Sequence, residues 1–321
     1  MPTRLLDTRV HPRFAGLCTF CRYPRLEDVP AENRPVDWVI YGVPFDGGVT
    51  YRPGARFGPR AIREASQYVK AFHLERNINL CDSLSLADGG DAPVKPFDVK
   101  ENIDLVVSFA VSLGDKQSKL LAVGGDHSIA YANMKATWER QGRPAGGLSL
   151  VHLDSHLDTV DVIWGERWNH GSVFRRAIED GIVNPARMIS IGVKGPLNSG
   201  TDTEFARAAG VEIITYEQMF RDGQKRLDLY LLRARKEKLP TYITFDIDVV
   251  DPAYAPGTGT PSVGGFTSAE VIAILRRLVG LNLVGADIVE VLPDRDPSQI
   301  TSLLAAHILF ELLCLGVPSG P

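Results

Sequence analysis

The sequence is short of the features that would place it with nucleic acid, membrane or a disulfide framework. Lys and Arg total 35 against 39 Asp and Glu, the formal net charge is −4, and no basic run occurs, so nucleic acid is not an expected partner. Cysteine is scarce: Cys18, Cys21, Cys81 and Cys314. Cys18 and Cys21 make one CxxC with no second pair, which is read as coincidence, and a reducing, cytoplasmic setting is expected. The start, Met1 to Gly16, mixes Arg, Asp, His and Pro and lacks the apolar stretch of a signal peptide. The most apolar segment, Ile300 to Val317, holds His307 and Glu311 and is short for a membrane span, so a buried C-terminal helix is expected and no membrane partner. Internal repeats, low-complexity tracts and linkers are also missing.

What is present is ordinary for a globular protein: 321 residues, 44% hydrophobic and 23% charged. Residues 1–35 read as an irregular N-terminal arm with several prolines, and 36–321 as a single domain. Strand-like runs begin at Val36, Lys119, Gly147, Arg187, Val211, Thr241 and Leu283 and alternate with helical spacing, from the stretch after Pro59 to the one capped by Thr267. Residues 82–98, with Asp88-Gly89-Gly90-Asp91, read as loop. The fold class is α/β, with a mostly parallel sheet covered on both faces.

The stretch His152-Leu153-Asp154-Ser155-His156-Leu157-Asp158-Thr159 follows the buried run Gly147 to Val151. Asp154, His156 and Asp158 fall at every second position, and in extended chain they point the same way. Imidazole with carboxylates suits a borderline divalent cation. Alone, the stretch also reads as a polar turn with solvated acids. Three more strand-like runs end comparably, in Gly124-Gly125-Asp126-His127, Asp246-Ile247-Asp248 and Glu290. Open parallel sheets bind ligands at the carboxyl ends of their strands. The collected set is His127, Asp154, His156, Asp158, Asp246 and Asp248. Four carboxylates exceed what one zinc needs and fit two divalent ions about 3.5–4 Å apart around a shared water. That arrangement points to a hydrolase.

Gly124-Gly125-Asp126-His127-Ser128, the Asp-x-His-x-Asp at 154–158, and Phe245 to Pro252 followed by Pro256-Gly257-Thr258-Gly259-Thr260-Pro261 resemble the three signatures of the ureohydrolase family, which includes the arginases and agmatinases. Similarity extends from Tyr41-Gly42-Val43-Pro44-Phe45-Asp46 to Asp287-Ile288-Val289-Glu290-Val291, and His170-Gly171-Ser172 looks more like the agmatinase branch. The resemblance implies a three-layer α/β/α fold, hydrolysis of a small guanidino compound to urea and an amine, and a homo-oligomer, trimer or hexamer. It also implies two divalent ions per chain, manganese, with nickel as the alternative. One ion would be held by His127, Asp154, Asp158 and Asp246, the other by Asp154, His156, Asp246 and Asp248. The catalytic work falls to His170, as proton shuttle, to Glu290, as partner of the guanidinium, and to Asp158. Ser155 stands where alanine is commoner in the family.

Read alone, Glu290 is a strand-end acid and His170 a helix cap. His152 is read as facing away from the triad, Asp126 as supporting or capping, Asp251 as a turn residue, and His11, His73 and His307 as without a role. In the loop from Asp158 to His170, Trp164, Glu166 and Trp168 are candidates for the substrate pocket. An aromatic wall disfavours arginine. Glu166 suits a second cationic group and Arg167 a carboxylate, and guanidine or a biguanide also remains open. Packing of the tryptophans at a subunit contact is the bland alternative. The rival readings are a catalytically silent scaffold or regulatory subunit, and a one-zinc deacylase.

Overall fold

The structure is a computed structural model that describes residues 3, 5 and 7–318. Its strands are β1 Trp38–Gly42, β2 Phe72–His73, β3 Ile78–Asn79, β4 Leu86–Asp91, β5 Lys119–Val123, β6 Leu148–Leu153, β7 Val183–Val193, β8 Glu212–Thr215, β9 Thr241–Asp246 and β10 Leu283–Val289. Apart from the β2–β3 hairpin, they form one eight-stranded sheet in the order β4-β1-β5-β10-β9-β6-β7-β8, with every neighbouring pair parallel. Every residue of β1, β6, β9 and β10 is buried, as a parallel sheet covered on both faces requires.

One face of the sheet carries the helices Gly58–Ser66, Gln224–Lys236, Ser268–Arg277 and Ile300–Leu315, with residues such as Ile62, Leu227, Leu275 and Leu309 in their core. The other carries Val99–Ser112, Ile129–Arg140, Val173–Glu179 and Glu204–Ala209, with Val106, Met134 and Phe174. The expected three-layer α/β/α arrangement is present. The helix Ile300–Leu315 is buried along most of its length, and Glu311 within it bonds to Arg276 and His73.

What matters for function is the strand order. The four strands whose ends carry the acidic and imidazole motifs, β5, β10, β9 and β6, are consecutive in the sheet. Val123 pairs with Ile288, Val289 with Asp246, and Leu153 with Phe245, so their carboxyl ends lie side by side.

Three local readings change. Leu86–Asp91 is not a loop but the edge strand β4, paired to β1 from Trp38↔Leu86 to Ile40↔Asp88. Its glycines misled the reading: a Cβ on Gly89 would meet Val39 Cγ1 at 2.7 Å, so glycine here permits close approach, not a turn. The helical spacing read from Ala61 to Phe72 ends as a helix at Ser66, because Phe72–His73 pairs back on Ile78–Asn79. The N-terminal arm is irregular but docked. Its short turn Phe20–Arg22 buries Phe20 and Cys21, the Cys21 N–H donates to Ser66 Oγ at 2.7 Å, and Cys18 stays exposed.

Candidate metal centre

Each ligand-type residue reaches the sheet edge because its strand ends where it does. Between β5 and His127 the chain turns through Gly124 and Gly125, at φ +78° and +83°. A Cβ on Gly125 would sit 2.6 Å from Val43 O, so the turn needs glycine twice over. Asp126 then fixes the turn. Its Oδ1 accepts from Ser128 N and Oγ, and its Oδ2 accepts from Gly48 N at 2.7 Å. The Ser128 hydroxyl is thereby committed to Asp126 and does not cap the helix that follows.

The Asp-x-His-x-Asp motif lies just past β6, not within it. Asp158 takes a left-handed conformation at φ +51°, held by Phe174 N–H donating to its carbonyl at 3.1 Å. The side chains converge through this loop geometry, so simple strand alternation was only half of the reason. His127 Nδ1 lies 3.1 Å from Asp154 Oδ2, 3.0 Å from Asp158 Oδ2 and 3.2 Å from Asp246 Oδ2. His156 Nδ1 lies 3.4 Å from Asp154 Oδ1 and 3.1 Å from Asp248 Oδ2. All six expected ligand residues are therefore together, and Asp154 faces both histidines.

Two observations test whether this set suits cations. First, the Thr244 hydroxyl donates to Asp287 Oδ1 at 2.5 Å, which leaves its oxygen to accept His127 Nε2–H at 2.9 Å. That tautomer turns the Nδ1 lone pair toward three carboxylate oxygens, and Nδ1 is buried with no hydrogen-bond partner in line. A proton there would find only off-axis acceptors, whereas a cation would bind all four groups. Second, the acids repel one another. Burial, with the charges of Asp248 and Asp154, pushes the Asp246 pKa well above the carboxylate range. Dications at this position reverse the penalty on Asp246. The residues fit a pair of divalent ions.

Supporting contacts include several that the sequence reading missed. His152, expected to face away, shares the parity of Asp154. Its Nε2 bonds to Asp154 Oδ2 at 2.9 Å and its Nδ1 to Ser190 Oγ at 3.0 Å. Both nitrogens are used, so it orients Asp154. The period-two spacing was available as a signal. Behind Asp248, Ser155 N–H donates to Asp248 Oδ1 at 3.1 Å and its hydroxyl to Asp248 O at 2.7 Å. Lys194, one residue past β7, donates from Nζ to Ser155 Oγ and, at 2.8 and 3.2 Å, to the carbonyls of Asp248 and Val249.

A cavity of about 260 Å³ opens onto this cluster, lined by His156, Asp158, Asp246, His170, Thr50 and Thr260 near the acids. Glu290 lies behind His170. Its Oε1 accepts from His127 N–H at 2.9 Å and His170 Nδ1–H at 3.0 Å, and its Oε2 is buried without a partner. A Cβ on Gly259 would come to 3.5 Å from that oxygen, so the Pro-Gly-Thr-Gly-Thr-Pro loop keeps the space around it clear. Burial works against a charged His170 ring, but the bare carboxylates of Glu290, then Asp158 and Asp126, outweigh it and push the pKa up to about 9; dications held by the neighbouring acids would offset that pull and favour the neutral ring.

Residues 36–314 match the sequence profile of the Arginase family. The chain belongs to the arginase family. Among its relatives is a guanidinopropionase of Pseudomonas aeruginosa, 41% identical over 97% of this chain and 95% of that protein. A guanidinobutyrase of the same organism is 36% identical over 95% and 93%. The solved structure of proclavaminate amidino hydrolase from Streptomyces clavuligerus superposes with a TM-score of 0.86 at 39% identity, covering 95% of this chain and 99% of that one. The family implies a binuclear divalent metal centre, and the His/Asp cluster at the carboxyl ends of β5, β6 and β9 is where this chain gathers the matching side chains.

The expected substrate-pocket residues Trp164, Glu166 and Trp168 do not line the cavity. Trp164 sits at the tip of the Ile163–Glu166 turn at φ +53° and is 79% exposed. Glu166 is exposed beside it, and Arg167 pairs with Glu179. Trp168 turns the other way and packs edge-on against Tyr131, ring centroids 5.0 Å apart. The same loop instead turns Val160 and Ile163 to the cavity, opposite Pro196 and Leu197. The irregular backbone of the loop, with left-handed residues at Asp158 and Trp164, decided this.

Proposed function

We propose that this protein hydrolyses a guanidino compound to urea and an amine on two divalent cations, manganese in the first instance and nickel as the alternative. His127, Asp154, Asp158 and Asp246 would hold one ion, and Asp154, His156, Asp246 and Asp248 the other. The observation that carries the reading is the bare His127 Nδ1 facing three carboxylate oxygens beside a cavity that also contains His170. Bound together, the ions would lower the pKa of a water between them and supply the nucleophile near neutral pH. The remaining work belongs to the protein. The unpartnered Glu290 Oε2 offers a buried acceptor to a planar guanidinium, and Glu290 Oε1 holds His170 by its Nδ1–H. Asp158, at the cavity wall, steadies the reacting end of the substrate.

The cavity walls favour a substrate tail without a carboxylate. Val160, Ile163, Pro196 and Leu197 are apolar, Asp202 is the acidic group at the mouth, and no Lys or Arg is among the described lining residues. Arg52 lies over Tyr51, and Arg175 and Arg176 are paired with Asp161 and Glu179. Burying a tail carboxylate here would leave it uncompensated. A tail without a carboxylate would set the chain apart from the guanidinopropionase it is similar to. A catalytically silent scaffold is disfavoured by the convergence of all six ligand residues.

Urea release from guanidine, propylguanidine, agmatine, guanidinopropionate, guanidinobutyrate and arginine, with manganese and with nickel, tests both statements. The reading expects turnover, with the highest kcat/KM on a tail lacking a carboxylate. Guanidinopropionate as the best substrate would overturn the tail assignment alone, and no urea from any compound would overturn the hydrolase.

For its setting, we propose a cytoplasmic homo-oligomer, trimer or hexamer, without nucleic-acid or membrane partners. The net charge of −4 supports the absence of nucleic acid, and four unpaired thiols suit a reducing compartment. Light scattering of the purified protein gives the stoichiometry, and a monomeric mass would contradict it.

A further inference from the structure

Thr50 belongs to no motif of the sequence, and a role for it follows if the protein is the hydrolase proposed above. Thr50 lies in the loop from Pro44 to Gly54, and that loop is tied down at several points. Asp46 Oδ2 accepts from Gly54 N–H at 2.6 Å, Gly48 N–H reaches Asp126, and Gly48 O accepts from His170 N–H at 3.0 Å. The loop therefore holds His170 by its backbone as well as by its ring.

At the ring, the donors and acceptors are assigned by their partners. Thr50 N–H points at His170 Nε2 at 3.1 Å, so Nε2 is an acceptor. The proton of the neutral ring is then on Nδ1, directed at Glu290 Oε1 at 3.0 Å. Thr50 Oγ1 lies 2.7 Å from the same Nε2, and beside an acceptor its hydroxyl donates. The result is a continuous chain, Thr50 O–H to His170 to Glu290, with hydroxyl, imidazole and carboxylate in sequence. Its outer end is at the cavity: Thr50 and His170 both line it, together with Asp158 and Asp246. Thr50 is therefore in contact with both the ring nitrogen and the substrate space.

We propose that Thr50 is a catalytic residue that carries the proton between His170 Nε2 and the departing amine nitrogen. When the attacking water loses its proton, Thr50 Oγ1 receives it and passes its own proton to Nε2, forming the imidazolium that Glu290 stabilises. When the carbon–nitrogen bond breaks, the bonding pair goes to the departing nitrogen. That nitrogen takes the hydroxyl proton, and Nε2–H restores it. Water and the guanidino compound become urea and the amine, with no net change in the protein. Positioned proton transfer of this type contributes about 10²–10⁴-fold to a rate.

The test compares the full chain, loaded with manganese or nickel, with Thr50→Val and Thr50→Ser. Valine keeps the backbone N–H and the side-chain shape and removes only the hydroxyl. The expected result for Thr50→Val is a kcat lowered by about a hundredfold or more, with KM within threefold, metal content and Tm unchanged, and Thr50→Ser close to the parent. The loss should shrink on an arylguanidine, whose weakly basic amine departs with less need of a proton. A Thr50→Val enzyme with the parent kcat, or a loss equal on alkyl and aryl substrates, would overturn the proposal while leaving the hydrolase reading in place. A parent protein that releases no urea would overturn both.

Discussion

His170 and Glu290 are joined by a single hydrogen bond, Nδ1–H to Oε1 at 3.0 Å, although 120 residues separate them in the chain. The bond uses one carboxylate oxygen and leaves the other, Oε2, buried and unpaired. An unsatisfied buried acceptor of this kind is costly unless a ligand completes it. Replacing Glu290 with Gln removes the charge and keeps the shape. Glu290→Gln should lower kcat/KM for guanidino substrates by about a hundredfold or more, with metal content unchanged by elemental analysis.

Asp154 is the acid that both histidines face. Asn at this position can still accept from His156 N–H, which bonds to Asp154 Oδ1 at 2.6 Å, so the fold should persist. Asp154→Asn should abolish detectable urea release, drop the metal-to-chain ratio below one, and leave a cooperative thermal transition. Retained turnover would show that Asp154 does not bridge.

The tail assignment can be inverted by one side chain. Leu197 lines the cavity and is 44% exposed, so an arginine fits there without burying an unpaired charge. Leu197→Arg should raise kcat/KM for guanidinopropionate relative to propylguanidine by about tenfold, the worth of ~1.4 kcal/mol of charge pairing. An unchanged ratio would place the substrate tail elsewhere.

The two tryptophans of the loop from Asp158 to His170 should separate cleanly. Trp168 packs on Tyr131, so Trp168→Ala should cost about 1–3 kcal/mol of stability in urea denaturation while KM stays within twofold. Trp164 is exposed at a turn tip, and Trp164→Ala should stay within about 0.5 kcal/mol. A large KM change in either would return the aromatic wall to the pocket.

The fold and the meeting of the six acidic and imidazole side chains were legible because both depend on local pattern. Buried runs such as Leu148–Leu153 announce parallel strands, and ligand-grade residues just beyond them announce a shared edge. Four such ends became one site only through the strand order β5-β10-β9-β6, which pairings between distant residues establish. What the sequence hid was set by backbone conformation and tertiary contact. The left-handed residues Asp158 and Trp164 broke the alternation that would have shown which side of the loop faces the substrate. β4 was masked because Gly89 serves close packing against Val39. His152 was misjudged although its spacing from Asp154 placed it correctly. Thr50 and Lys194 act on residues 120 and 54 positions away, and nothing local marks them.

The most direct test is a crystal of the manganese- or nickel-loaded protein, with diffraction measured on both sides of the metal absorption edge. Two anomalous peaks, one beside His127 Nδ1 and one beside His156 Nδ1, should appear about 3.5–4 Å apart with Asp154 between them. A single peak, or peaks away from these six side chains, would contradict the account.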